Sequence, residues 1–424
     1  DRPHGGATRI GRAGVEEVGA GEEAGARAQD RGDGIVAQAL TAIERYLLLG
    51  LRLGRHVDGF VDAYYGPPEL AAQVDSEALV PAEELAVEAA ALRAELDLGD
   101  ARRTAWLKAQ LLGCETTARR LAGEPISWAD EVEGSYGVRP DPAPEERFAA
   151  AHERVAAALP GDGALAERYQ AWVESQTVPP EKLLAAAQAF SRELRSRTEA
   201  LVGLPDDESV HLEEVANEPW SAFNYYLGGR RSRVVVNTDR PVDAFFLPLL
   251  IAHEAYPGHH TEHAWKEALL VDGEGYAEET IFLVGTPQAV VSEGIAMIAL
   301  ELVLGDETDA VAARVFADVG VAYDGETSRA VRELRDALSA LPVNAARLLH
   351  VEGRPREEVV DYLERWGLNT RQRAASSVDF LVHPTWRAYT SCYASGLELC
   401  RRYVGRDVQR FRRLLTEQFT TGDL

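Results

Sequence analysis

A chain of 424 residues with 69 acidic and 44 basic side chains carries a formal charge of −25, which argues against nucleic acid or an anionic membrane surface as its main partner. With 46% hydrophobic and 27% charged residues it is globular and long enough to bury a sizeable core. Three cysteines, Cys114, Cys392 and Cys400, make no disulfide framework, and no run of about 20 apolar residues is present to span a bilayer.

Residues 1–33 are rich in Gly, Ala, Arg and acid, have no apolar signal-peptide core, and read as a disordered leader. Cytoplasm is the expected location. From residue 34 to 424 the chain reads as one mainly α domain, because Ala, Leu, Glu and Arg dominate and β-rich segments are scarce. An apolar helical pattern over 35–61 ends before the turn Tyr64-Tyr65-Gly66-Pro67-Pro68. Further helices are expected at 82–97, 101–122, 144–158, 164–177 and 180–202, with an aromatic, proline-rich excursion at 126–143.

One β-branched run interrupts the helices. Residues 233–238 (Arg-Val-Val-Val-Asn-Thr) follow Gly228-Gly229 and precede Asp239-Arg240-Pro241, so a small sheet is expected around 230–240. It is either purely structural or an edge strand that pairs with an extended peptide, which would put Val235 and Asn237 against substrate.

The stretch 251–265, IAHEAYPGHHTEHAW, holds four of the ten histidines: His253, His259, His260 and His263. Neutral histidine is the commonest metal ligand, and a His-Glu pair on a helix is half of a hydrolytic zinc site, H-E-x-x-H. Here the position four after His253 is Pro257, and the next histidine is six residues on. A straight helix would separate 253 and 259 by roughly 9 Å of rise. Pro257-Gly258 is expected to break the helix and bring the second histidine back. The plainer reading makes His253 a core residue, since it continues the apolar stripe of Val242, Phe245, Phe246, Leu249 and Leu250. Four histidines and Glu254 within 11 residues favour a metal site.

Pro287 opens another helix, in which Glu293 is surrounded at three and four positions by Ala289, Val290, Ala296 and Met297. A carboxylate there needs a metal or a buried arginine. The C-terminal part reads as helices over 307–378 in pieces, 384–403 and 407–418. It carries His383, Arg387, Tyr389 and Tyr393, which could hold a substrate carboxylate or an oxyanion.

His253-Glu-Ala-Tyr-Pro-Gly-His-His260, followed by Ser292-Glu293-Gly294 and by Tyr393-Ala-Ser-Gly396, resembles the bacterial family called domain of unknown function 885. That family is regarded as similar to helical zinc metallopeptidases that use H-E-x-x-H and a downstream glutamate. The resemblance is specific over about 225–300 and weaker over 34–225. It implies a mostly helical fold, a zinc ion and peptide hydrolysis. Carried over by position, it makes His253, His259 and Glu293 metal ligands and Glu254 the general base. His260 is the alternative second ligand or a substrate contact, and a His259/His263 pair ranks third. The expectation is a zinc-dependent hydrolase of peptide or small amide substrates. Tyr393, or else Tyr389 or His383, would serve the oxyanion, and Arg387 would hold substrate. The alternatives are a non-haem iron enzyme with the same two histidines and one carboxylate, and a non-catalytic helical binding protein with a vestigial site.

Overall fold

The first described helix begins at a capping box. Thr41 accepts from the Glu44 amide, and the Glu44 carboxylate accepts from the Thr41 amide. Helix α1 (Ala42–Gly54) buries Tyr46, Leu47, Leu48, Leu49 and Leu53 against α2 (Ala101–Leu121), whose own N-terminus is capped by Asp100. The computed structural model describes residues 40–218 and 221–424; the expected leader, 1–33, lies outside the described residues.

The helical pattern expected over 35–61 stops early. Gly54 ends α1, and Val61 packs back onto it as the first residue of strand β1 (Val61–Tyr64). The excursion at 126–143 contains a helix, Trp128–Tyr136, started by Ser127 accepting from the Asp130 amide. Residues 180–202 form the expected helix, α3 (Pro180–Val202). Cys114, Cys392 and Cys400 are free and buried. No single described helix is long and apolar enough to cross a membrane.

Two small sheets interrupt the helices. Strands β2 (Ser209–Val215), β3 (Ala222–Tyr226) and β4 (Arg231–Asn237) form one, in the order β2-β4-β3. β2 runs parallel to β4 and β3 antiparallel to it, with Ala222 opposite Val236 and Tyr226 opposite Ser232. The β3–β4 turn places Gly228, Gly229 and Arg230 at positive φ, which the two glycines adopt without steric cost. Glu267 clamps it, accepting from the Gly229 and Arg230 amides and from the Tyr226 hydroxyl. The second sheet pairs β1 with β5 (Ile281–Leu283), antiparallel and far apart in sequence. Its register slips between Val61 and Ala63, so Asp62 is an extra residue in a bulge.

Four helices carry the candidate site: α4 (Leu247–Glu254), α5 (His259–Lys266), α6 (Pro287–Val303) and α7 (Thr390–Val404). Beneath α4 lies a core of Phe190, Val234, Val236, Ile251, Tyr256 and Phe316, in which the Phe190 and Phe316 rings meet edge-on at 4.9 Å. Helices α6 and α7 touch backbone to backbone at Gly294 and Gly396. A Cβ on Gly294 would lie 2.4 Å from the Gly396 carbonyl, and one on Gly396 would lie 2.3 Å from the Val290 carbonyl. The Ser-Glu-Gly and Tyr-Ala-Ser-Gly stretches are therefore the two halves of one close crossing.

Candidate metal centre

The chain breaks between the two histidine helices, where Pro257 lies. α4 ends at Glu254, Ala255 leaves the helix at φ −119 and ψ −88, the Tyr256–Pro257 peptide is cis, and α5 starts at His259. Gly258 folds back onto the last turn of α4. Its amide donates to the Ala252 carbonyl at 2.9 Å, and a Cβ there would lie 2.0 Å from the His253 carbonyl. The bend cancels the rise that a straight helix would have accumulated, and His253 Nε2 lies 3.1 Å from His259 Nε2. Glu208 holds both sides of the bend. Its carboxylate accepts from Tyr256 Oη at 2.6 Å, pairs with His260 Nε2 at 2.8 Å, and accepts from Arg195 Nε at 2.7 Å.

Glu293 reaches this pair from α6. The residue is 4% exposed; Oε2 lies 3.4 Å from His253 Nε2, and Oε1 lies 3.9 Å from His259 Nε2. Tyr389 donates its hydroxyl to Oε1, while Oε2 has no hydrogen-bond partner among the described residues. Among the described residues no arginine pairs with this acid. A tetrahedral ion with bonds of about 2 Å holds its ligand atoms about 3.3 Å apart. His253 Nε2 has that spacing from both His259 Nε2 and the orphaned oxygen, and the nearest approach of the Glu293 carboxylate to His259 is wider, at 3.9 Å.

The protonation states fit a cation as well. Burial first, then His259, pushes His253 well below its ordinary pKa, and burial pushes His259 down to about 4, so both rings are neutral with a lone pair to give. Burial raises Glu293 to about 8, Tyr389 offsetting part of it and Asp62 adding to it. Burial, then Glu293 and Asp62, raises Glu254 to about 8. The site is rich in lone pairs and short of positive charge.

Glu254 is 8% exposed, and its carboxylate has no hydrogen-bond partner among the described residues. Its backbone carbonyl accepts from the Asn224 side chain, which ties the end of α4 to β3. Tyr393 stands edge-on to Tyr389 at 5.6 Å and feels the charges of Glu293 and Glu254. Burial raises its phenol well above its ordinary value, so it remains a donor. Asp62, aimed by its bulge, acts electrostatically on Glu254, Glu293 and Tyr393, and burial raises it to about 7. Nothing in the local sequence marked Asp62 or Asn224, because both are placed by strand pairing.

Several expected site residues lie elsewhere. His260 is fully buried, with Nδ1 on Ser232 at 2.8 Å and Nε2 on Glu208, so it is neither a ligand nor a substrate contact. Val235 and Asn237 are fully buried on β4, which is the central strand; β3, buried or half-buried along its length, is the edge strand tied to the end of α4. Arg387 is turned to Glu131 rather than to the site. His263 packs against Tyr226 and Phe282 and does not join His259 in the cluster. His383 is exposed and stacks on Trp386.

No family model matches the chain, and no curated protein matches it. Two solved structures are similar in outline. The "putative lipoprotein from Colwellia psychrerythraea" is 15% identical over 81% of this chain and 65% of its own, with a TM-score of 0.47. The "putative lipoprotein of unknown function from Shewanella oneidensis" is 14% identical over 88% of this chain and 73% of its own, with a TM-score of 0.41. The chain thus spans 65% of the length of the first, and likeness at this level carries nothing to the site.

Proposed function

We propose that the chain is a zinc-dependent hydrolase of peptide or related amide bonds. The observation that carries this reading is the convergence of His253 Nε2, His259 Nε2 and the Glu293 carboxylate, with the unpartnered carboxylate of Glu254 beside them. Zinc held by these three side chains supplies a Lewis acid for the scissile carbonyl and draws the pKa of water toward neutrality. Glu254 takes the proton of the attacking water and returns it to the departing amine. Tyr393 donates to the oxygen that gains charge in the tetrahedral intermediate; Tyr389 is committed to Glu293. The edge of β3, fastened to Glu254 through Asn224, holds the substrate backbone extended. The resemblance of 253–260 and 292–294 to domain of unknown function 885 supports the same chemistry.

The test uses the purified chain, zinc analysis and a library of short fluorogenic peptides. About one zinc per chain is expected, with hydrolysis that a chelator abolishes and zinc restores. Glu254→Gln should keep the zinc and lose turnover by on the order of a hundredfold or more. Absence of bound zinc, or Glu254→Gln turning over like the wild type, overturns the reading. Stoichiometric iron in place of zinc would favour oxygenase chemistry instead.

A further inference from the structure

Behind His259 stands a chain of three buried polar side chains that takes part in no step above. His259 Nδ1 lies 3.0 Å from Ser292 Oγ, Ser292 Oγ lies 2.6 Å from Glu262 Oε2, and Lys266 Nζ lies 2.6 Å from Glu262 Oε1. Ser292, Glu262 and Lys266 are all buried. We propose that Ser292, Glu262 and Lys266 are positioning residues that lock His259 in the tautomer with its hydrogen on Nδ1, so that the Nε2 lone pair is already aimed at the ion. This rests on the metal-centre reading.

The direction of each hydrogen bond follows from the donors available. Lys266 is an ammonium and can only donate, and its contact holds Glu262 as a carboxylate. A carboxylate only accepts, so the Ser292 hydroxyl must give its hydrogen to Glu262. The Ser292 oxygen is then left with lone pairs facing His259, and the one partner that satisfies it is an Nδ1–H. Nε2, which faces His253 and Glu293, is thereby the basic nitrogen. A protonated Glu262 would reverse the chain and put the hydrogen on Nε2, where it would block metal binding. Lys266, one turn along the same helix from Glu262, prevents that reversal. Ser292 thus has a function separate from that of its neighbour Glu293: one holds the ligand ring, the other is a ligand.

The experiment uses the full chain labelled with nitrogen-15 in histidine and stripped of metal. Two-bond proton–nitrogen correlation spectra report each ring's tautomer, with His259 assigned by its loss in His259→Asn. The wild type should show His259 with hydrogen on Nδ1 before any metal is added. Ser292→Ala, which nearly conserves volume, should lose that single tautomer and bind zinc about 10–100-fold more weakly, while the metal-free melting temperature stays close to wild type. A wild-type His259 with hydrogen on Nε2, or a Ser292→Ala protein with unchanged tautomer and unchanged zinc affinity, overturns the proposal. A wild type that binds no zinc but shows a Ser292-dependent Nδ1–H would overturn the metal reading and leave the tautomer lock standing.

Discussion

Tyr389 and Tyr393 are one helical turn apart and face the same carboxylate, yet their surroundings give them different work. The Tyr389 hydroxyl is bound to Glu293 Oε1, whereas Tyr393 has its hydroxyl free among the described residues and lies within the field of both Glu254 and Glu293. Removing each hydroxyl should therefore separate binding from chemistry. Tyr389→Phe should weaken zinc binding about 10-fold, because a hydrogen bond that orients a ligand is lost. Tyr393→Phe should leave zinc binding unchanged and lower kcat on the order of a hundredfold. Chelator competition and steady-state kinetics on the same preparations check both. Equal effects of the two variants on zinc affinity would mean that Tyr393 holds the ligand and not the oxyanion. At this scale the sequence was informative where chemistry sits in a short motif or stands out against its neighbours, as Glu293 does among Ala289, Val290 and Ala296. It could not distinguish His259 from its neighbour His260, because the acid that claims His260 is Glu208, 52 residues away.

The bend between α4 and α5 and the crossing of α6 with α7 are the two backbone features that assemble the site, and both depend on glycines with no room for a Cβ. Gly258→Ala would drive a methyl group to 2.0 Å from the His253 carbonyl, a backbone atom that cannot swing aside. Opening the bend to make room moves His259 away from His253. The expected result is a loss on the order of 3 kcal/mol or more in stability, toward the upper end of overpacking effects, and zinc bound at well under one tenth of the wild-type affinity. Gly396→Ala should be milder toward zinc. It pushes α7 off α6 and separates Tyr389 from Glu293, leaving the two histidines in place. Melting curves and zinc titrations of both variants check this order. A Gly258→Ala protein with wild-type zinc affinity would show that the bend does not set the ligand spacing. The helices themselves were legible from their apolar periods, and the break was legible from Pro257-Gly258, since these signals are local. The pairing of β1 with β5, the parallel partner β2 and the central place of β4 were not, because strand order is decided by contacts distant in sequence. Asp62 went unseen for the same reason. Its stretch continues a helical pattern, and only the bulge against β5 turns its carboxylate toward the site.

Across the whole molecule, the buried charge of the site should appear as a pH dependence of stability that zinc reduces. In the metal-free protein His259 has a folded pKa of about 4, below its unfolded value near 6.5. Its contribution is fully present above pH 6.5 and is lost as pH falls toward 4; His253, also lowered, acts in the same sense. Glu254 and Glu293 are raised to about 8, well above their unfolded values, so their contribution is fully present in acid and is lost as pH rises through 8. Asp62 and Glu279, each raised to about 7 by burial, add to the same loss. The two sets oppose each other at mildly acid pH. Between pH 6.5 and 8 the histidines are already neutral in both states, and only the carboxylates act. The metal-free protein should lose on the order of 2–4 kcal/mol of stability over that window, read as a melting temperature that falls by several degrees. Zinc would place two positive charges beside Glu254, Glu293 and Asp62 and bind best when Glu293 is ionised, so the zinc-loaded protein should keep only the smaller fall that Glu279, beside Lys266 and Gln418, contributes, and the gap between the two forms should widen with pH. Glu293→Gln should make the metal-free fall shallower, with Glu254, Asp62 and Glu279 still titrating, and abolish the response to zinc. A metal-free melting temperature that stays level or rises from pH 6.5 to 8 would mean that the carboxylates of this site are already neutralised by something other than a metal ion.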